Sequence, residues 1–126
     1  NFDVRSGPAA SDLDGDGLDE IVVGTYGPPQ TVLILDNDGT VLGSASSVFS
    51  VISSPAIGNL DGDPELEITV GTSDGTLLAI NPDGSPISPD WPIVLPTISP
   101  QFHTRNDVDS SPAIGDIDGD GDLDLI

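Results

Sequence analysis

Short apolar runs alternate with polar, glycine-rich segments along this chain. Four runs are rich in Val and Ile and are followed by turn-forming residues: EIVVG (20–24), TVLIL (31–35), EITVG (67–71) and TLLAI (76–80). Such runs are typical of β-strands, and the Asp-Gly pairs between them are typical of turns. No apolar period of 3.6 residues persists for three turns, so helices should be nearly absent. The pattern predicts an all-β protein.

One segment recurs three times. GPAASDLDGDGLDEIVVG (7–24), SPAIGNLDGDPELEITVG (54–71) and SPAIGDIDGDGDLDLI (111–126) align without gaps. Further along, TVLILDNDGT (31–40) aligns with TLLAINPDGS (76–85). Repeats of about 40 to 50 residues indicate stacked or radially arranged units, and four short antiparallel strands per repeat describe a propeller blade.

We therefore predict four-stranded antiparallel blades of an incomplete β-propeller. The units are blade repeat 1 (3–49), blade repeat 2 (50–106) with a Pro-rich insertion (86–107), and a partial blade repeat 3 (107–126). A closed propeller needs about four to eight blades, so these repeats do not close by themselves. Two alternatives follow: a piece of a longer protein, or a unit whose open strand edges are completed by neighbouring copies, as in a fibre.

An acidic loop separates the first two predicted strands of each repeat. In DLDGDGLDE (12–20, loop 1), carboxylates fall at loop positions 1, 3, 5 and 9, with glycines between them. A hard cation such as Ca²⁺ takes six to eight oxygens at about 2.3 to 2.6 Å, and alternate residues of a curled loop converge to supply them. EF-hand loops share the spacing, but loop 1 leads directly into a strand.

The other two loops, NLDGDPELE (59–67, loop 2) and DIDGDGDLD (116–124, loop 3), follow the same template. Position 7 contributes its backbone carbonyl, and the other positions contribute side-chain oxygens. The predicted ligands are Asp12, Asp14, Asp16, Leu18 and Glu20 in loop 1, Asn59, Asp61, Asp63, Glu65 and Glu67 in loop 2, and Asp116, Asp118, Asp120, Asp122 and Asp124 in loop 3. The chain should therefore bind about three Ca²⁺ ions.

Loop 2 departs from the template, with Asn59 at position 1 and Pro64 where the other loops have Gly. Its lower charge and the restriction from proline predict the weakest of the three sites. Turn chemistry alone would explain one Asp-Gly cluster, but it does not require acids at the same four positions in repeated copies. Mg²⁺ is less suitable, because it demands strict octahedral geometry and retains its waters.

Charge narrows the range of partners. The chain has 22 acidic and two basic residues, for a net charge of −20. Nucleic acids and anionic membrane surfaces are poor partners for such a chain, because binding to them relies on Lys and Arg. Disorder is the other explanation of high charge, but the regular apolar runs argue against it. The chain lacks cysteine and any apolar run of membrane-spanning length, so we expect neither a disulfide nor membrane insertion.

Residues for catalysis are scarce. His103 is the only histidine and lies in the insertion near Arg105 and Asp107, which we interpret as a polar, exposed loop. The close carboxylate pairs are already assigned to metal, and one His without Cys makes no nucleophile–base arrangement. We therefore expect no catalytic residues and no enzyme, while the role of His103 stays open.

These motifs carry a family resemblance. An apolar-Gly strand, the loop D-x-D-G-D-G-x-x-[DE] and an [IL]-x-V-G strand together resemble the FG-GAP repeats of integrin α-chain β-propellers and of secreted bacterial and archaeal proteins. The resemblance covers almost the whole chain except the insertion at 86–107. It implies that the loops bind Ca²⁺ and that the protein is extracellular or at the cell surface.

Three functions fit the sequence. The first is a calcium-stabilised module for adhesion, surface display or assembly, since clusters of this kind suit millimolar extracellular Ca²⁺. The alternatives are an accessory propeller of a secreted polysaccharide-acting enzyme and a self-assembling fibre subunit. Besides calcium, the expected partners are a protein or carbohydrate on a propeller face, or further copies of the chain.

Overall fold

The computed structural model describes residues 3–96, 108 and 110–126, and these residues form β-strands and loops without a helix. The first repeat is a four-stranded antiparallel sheet in the order β1-β2-β3-β4. Its strands are β1 (Ala9–Ser11), β2 (Glu20–Gly24), β3 (Thr31–Leu35) and β4 (Val41–Ser46).

The second repeat forms an equivalent sheet in the order β5-β6-β7-β8. Its strands are β5 (Ala56–Gly58), β6 (Glu67–Gly71), β7 (Thr76–Ile80) and β8 (Ile93–Val94). In the third repeat, β9 (Ile114–Gly115) and β10 (Asp124–Leu125) pair as a two-stranded antiparallel sheet. The predicted all-β fold of four-stranded blades is confirmed, and the described blades do not close into a ring.

The fourth strand of blade 2 lies inside the predicted insertion. Pro86 bridges to Ile80, as Val41 pairs with Leu35 in blade 1. The chain then leaves the sheet and returns at Ile93, which pairs with Leu77. The first part of the insertion therefore completes blade 2. His103, Arg105 and Asp107 lie outside the described residues, so their interpretation stays a prediction.

One apolar core runs through both blades. Its fully buried side chains are Val51, from the segment before β5, and five residues of the central strands, namely Val22, Val32, Ile34, Ile68 and Val70. Leu13 of loop 1 also reaches this core and is only 6% exposed. The acidic loop is therefore anchored to the core by the apolar residue that follows its first aspartate.

Equivalent hydrogen bonds join successive repeats. The Gly7 N–H donates to Ser54 Oγ at 3.0 Å, and the Ser54 N–H donates to Ser111 Oγ at 3.0 Å. Likewise, the Val51 N–H donates to the Thr25 carbonyl at 3.1 Å, as the Val108 N–H does to the Thr72 carbonyl at 3.1 Å. Consecutive repeats are thus placed by the same contacts.

This arrangement brings the acidic loops together at one edge of the molecule. One cleft lies between residues 12–15 of loop 1 and residues 64–66 of loop 2. A second lies between residues 59–62 of loop 2 and residues 121–123 of loop 3. Loop 2 therefore lies between loop 1 and loop 3.

Candidate metal sites

Strand pairing brings the two ends of each loop together. Ser11 pairs with Glu20 across β1 and β2, while Gly58 pairs with Glu67 and Gly115 with Asp124 in the later repeats. Position 9 therefore lies beside position 1, although seven residues separate them in the sequence. The predicted convergence of the loop ends follows from the antiparallel register.

Glycine at position 4 permits the tight curl of each loop. Gly15, Gly62 and Gly119 have φ of +80°, +82° and +82°. This is the left-handed region, which a residue with a Cβ adopts only at a cost. The repeated D-G in the sequence is thus a backbone requirement as well as a metal motif.

The aspartates of loop 1 hydrogen-bond to the loop backbone. Asp12 accepts from the N–H groups of Gly15 at 2.8 Å and Gly17 at 3.1 Å. Asp14 Oδ1 accepts from the Asp16 N–H at 3.1 Å, and Asp16 Oδ1 accepts from the Leu18 N–H at 2.8 Å. These bonds orient the carboxylates, and each carboxylate keeps lone pairs that can bind a cation.

Loop 3 repeats the same network. Asp116 accepts from the N–H groups of Gly119 at 2.6 Å and Gly121 at 3.0 Å. Asp118 and Asp120 accept from the backbone N–H two residues later, as in loop 1. Loops 1 and 3, which both have aspartates at positions 1, 3 and 5, therefore have the same local geometry.

The structure brings three carboxylates together in each loop, with ligand oxygens within 4.8 Å of one another. The groups are Asp12, Asp14 and Glu20, then Asp61, Asp63 and Glu67, and finally Asp116, Asp118 and Asp124. Among the described residues, Asp16 and Asp120 lie outside these groups. The position-7 carbonyls of Leu18, Glu65 and Asp122, and the side-chain oxygen of Asn59, stay predicted ligands. The acidic clusters are thus able to hold metal ions.

Position 9 has a property that the sequence argument missed: Glu20 and Glu67 are fully buried. Glu20 Oε2 accepts from the N–H groups of Leu13 at 2.7 Å and Asp14 at 3.3 Å. Its Oε1 is buried without a hydrogen-bond partner among the described residues, and so is Oε1 of Glu67. An ionised carboxylate in that state carries a large desolvation cost, which a bound cation would offset.

The alternation along β2 contains a signal for this burial. Glu20, Val22 and Gly24 are the buried residues of that strand, so the glutamate lies on the core face. In a strand, residues two apart share a face. An acid in phase with the buried residues of its strand is therefore expected to be buried, whatever its polarity.

Electrostatics in loop 2 also disfavour the ion-free state. Burial raises the pKa of the Glu67 carboxyl, and the carboxylates of Asp61 and Asp63 raise it further. The backbone N–H groups of Leu60 and Asp61 act in the opposite direction. The loop thus favours positive charge next to Glu67, as either a proton or a cation.

Comparison with known families agrees with the loop geometry. Residues 4–42 match the family model of the FG-GAP repeat. The first repeat of this chain is thus similar to an FG-GAP repeat. The matched segment contains β1, loop 1, β2, β3 and the start of β4. The resemblance drawn from the sequence motifs is therefore confirmed.

Two further results concern relatives of the chain and membrane-spanning helices. A search of curated proteins finds no match to the chain. In the part of the chain that the structure describes, no helix has the length and apolarity needed to cross a membrane. The likeness to FG-GAP repeats thus rests on the match at residues 4–42.

Proposed function

We propose that this chain is a calcium-binding, calcium-stabilised β-propeller module that acts outside the cell in adhesion, surface display or assembly. The observation that carries the proposal is the pair of fully buried glutamates, Glu20 and Glu67, whose Oε1 atoms lack a hydrogen-bond partner within the described part of the chain. Each belongs to a group of converging carboxylates. A cation in each loop would give these oxygens a partner and offset the repulsion between the carboxylates.

Calcium is the cation that best fits this donor set. All the grouped donors are carboxylate oxygens on short, curled loops, without nitrogen or sulfur. Ca²⁺ prefers oxygen donors, accepts six to eight of them and tolerates irregular geometry, whereas Mg²⁺ requires a near-ideal octahedron. FG-GAP repeats often bind calcium, which supports the same choice.

Calcium would act here as a structural joint. Each loop connects the first two strands of a repeat, so an ion held by its converging carboxylates links the start of the second strand to the turn before it. The free energy of binding then appears as stability of the fold, at about 2.7 kcal/mol per site when free calcium is 100 times the Kd.

An extracellular setting agrees with this role. FG-GAP repeats are typical of extracellular proteins. Loops of this kind bind calcium at the millimolar concentrations found outside cells. We propose a non-catalytic module whose partners are proteins, carbohydrates or further copies of the chain.

Replacing Glu67 by Gln provides a sharp test. Glu67→Gln removes the buried charge, so without metal it should melt at a higher temperature than the wild type. With calcium the order should reverse, because an amide is a weaker calcium ligand than a carboxylate. Thermal melting in chelator and in millimolar CaCl₂, together with calorimetric calcium titration, measures both effects.

Glu65→Gln is the matched control, because it removes the same charge from the exposed side chain at position 7 of the same loop. It should leave the calcium-dependent shift in melting temperature nearly unchanged. Equal shifts for the wild type and Glu67→Gln, or absence of calcium binding by the wild type, would contradict the proposal.

A further inference from the structure

Loops 1 and 3 share a hydrogen bond between positions 1 and 6. Asp12 Oδ2 accepts from the Gly17 N–H at 3.1 Å, and Asp116 Oδ2 accepts from the Gly121 N–H at 3.0 Å. Both glycines have positive φ, +89° for Gly17 and +97° for Gly121. In these loops, the peptide group between positions 5 and 6 presents its N–H to the first carboxylate.

Loop 2 cannot form this bond, because Pro64 occupies position 6 and has no N–H. Proline also cannot adopt the positive φ of Gly17 and Gly121. The same peptide group instead presents its carbonyl: the Asn59 side-chain amide donates from Nδ2 to the Asp63 carbonyl oxygen. The side chain at position 1 thus still contacts the peptide group between positions 5 and 6, but with donor and acceptor exchanged.

The orientation of the Asn59 amide is determined by two contacts. Its Oδ1 accepts from the Gly62 N–H at 2.7 Å, as Asp12 Oδ1 does from Gly15. Turning the amide over would place its NH₂ group against the Gly62 N–H and its oxygen against the Asp63 carbonyl. Both contacts would then repel, so only the observed orientation satisfies the loop.

We propose that Asn59 and Pro64 are a matched pair of positioning residues that set the calcium affinity of loop 2. Neither can be exchanged alone for its counterpart in loops 1 and 3. Asp at position 59 would place a carboxylate oxygen against the Asp63 carbonyl. Gly at position 64 would allow a turned peptide whose N–H meets the Asn59 NH₂ group. The affinity part of this inference rests on the proposed calcium function.

The pair leaves the rest of the site intact. Asp61, Asp63 and Glu67 still converge, and Glu67 Oε1 is buried without a partner among the described residues. Asn59 removes one negative charge from the group of potential ligands, and its amide closes the loop in place of the carboxylate. Loop 2 is therefore a weaker calcium site that holds its shape without relying on a carboxylate at position 1.

A double-mutant cycle tests the pairing without calcium. The wild type, Asn59→Asp, Pro64→Gly and the double variant are melted in chelator. Each single change should lower the melting temperature, and the double variant should be more stable than the sum of the single effects predicts. Additive effects would overturn the pairing. Asn59→Ala gives a second probe, because it leaves the Asp63 carbonyl without its donor and so should also destabilise the fold.

Calcium titration tests the effect on affinity, in a background where Asp14→Asn and Asp118→Asn weaken loops 1 and 3. Asn59→Asp alone should bind no more tightly than the unchanged loop 2, despite the added charge. The double variant should bind about tenfold more tightly, a difference of about 1.4 kcal/mol. Asn37→Asp adds the same charge in an exposed turn of blade 1 and should leave this affinity unchanged.

The outcomes separate the two proposals. A tenfold gain from Asn59→Asp alone would overturn the matched pair. Coupled melting effects in chelator without calcium binding by any variant would support the pair and reject the calcium function.

Discussion

Buried polar side chains fall into two groups at the scale of single residues. Thr25 Oγ1 donates to the Pro29 carbonyl at 2.9 Å and accepts from the Thr31 N–H at 2.9 Å, so it holds a turn. Thr69 Oγ1 is equally buried but lacks a partner among the described residues. In blade 1 the equivalent position is Val22, which is also fully buried. The hydroxyl of Thr69 therefore costs stability without contributing a bond.

We expect Thr69→Val to raise stability by about 1 kcal/mol, because it removes an unsatisfied buried polar atom and keeps the side-chain shape. Thr25→Val should lower stability by a similar or larger amount, because it breaks two hydrogen bonds. Chemical unfolding of both variants in saturating calcium provides the measurement. A loss of stability in Thr69→Val would mean that the hydroxyl has a partner or role that these contacts do not reveal.

At the scale of secondary-structure elements, the glycines that end β2 and β6 explain how one repeat packs against the next. A Cβ on Gly24 would lie 2.3 Å from Val51 Cγ1, and a Cβ on Gly71 would lie 2.5 Å from Val108 Cγ1. Each valine belongs to the segment that begins the following repeat, and Val51 is fully buried. The V-G ending of β2 and β6 therefore makes room for the side chain that connects one repeat to the next.

Gly24→Ala and Gly71→Ala should each destabilise the fold by about 1 to 3 kcal/mol, because the added methyl overpacks the joint between repeats. Gly115→Ala is the control, since a Cβ there meets no atom within 4 Å. It should be neutral or slightly stabilising. Equal effects at all three glycines in denaturant unfolding would show that backbone freedom, and not the valine contact, explains the glycines.

The charge of the whole chain determines how its stability should depend on pH. The net charge is −20, and the acidic loops lie next to one another at one edge. Without metal, this edge repels itself. With calcium, the same carboxylates become ligands, so a single set of side chains should destabilise the metal-free state and stabilise the bound one.

Without metal, we expect stability to fall as pH rises above about 4.5, the ordinary pKa of a glutamic acid. The Glu67 pKa is raised in the folded protein, so its favourable contribution is present below the unfolded pKa and is lost as pH rises through the folded pKa. With calcium the trend should reverse, because binding requires deprotonated ligands.

Melting temperatures from pH 4 to 8, in chelator and in calcium, measure both trends. Protease resistance at neutral pH gives a second readout, since chelator should increase cleavage of the loops. The Glu67→Gln variant should show a shallower pH dependence in chelator. Parallel pH profiles with and without calcium would contradict the expected reversal of the pH dependence by calcium.

The sequence by itself determined the strands, the repeat and the acidic loops. Runs such as EIVVG and TLLAI carry their strand preference in each residue, and D-G pairs encode turns through glycine φ and aspartate hydrogen bonds. The spacing of acids at positions 1, 3, 5 and 9 included all the carboxylates that meet, although Asp16 and Asp120 lie outside the groups. These are local properties, so they can be read without knowing which segments touch.

Only the tertiary structure decided the features that depend on distant partners. The full burial of Glu20 and Glu67 requires the core that both blades build, and the need for Gly24 depends on Val51 of the next repeat. In blade 2 the chain leaves the sheet after Pro86, and the fourth strand begins only where Ile93 pairs with Leu77 of β7. Asn59 and Pro64 look like two independent defects in the sequence. Because a hydrogen bond depends on which atoms face each other in space, only the fold reveals the contact between the Asn59 amide and the Asp63 carbonyl from which we infer that they are matched.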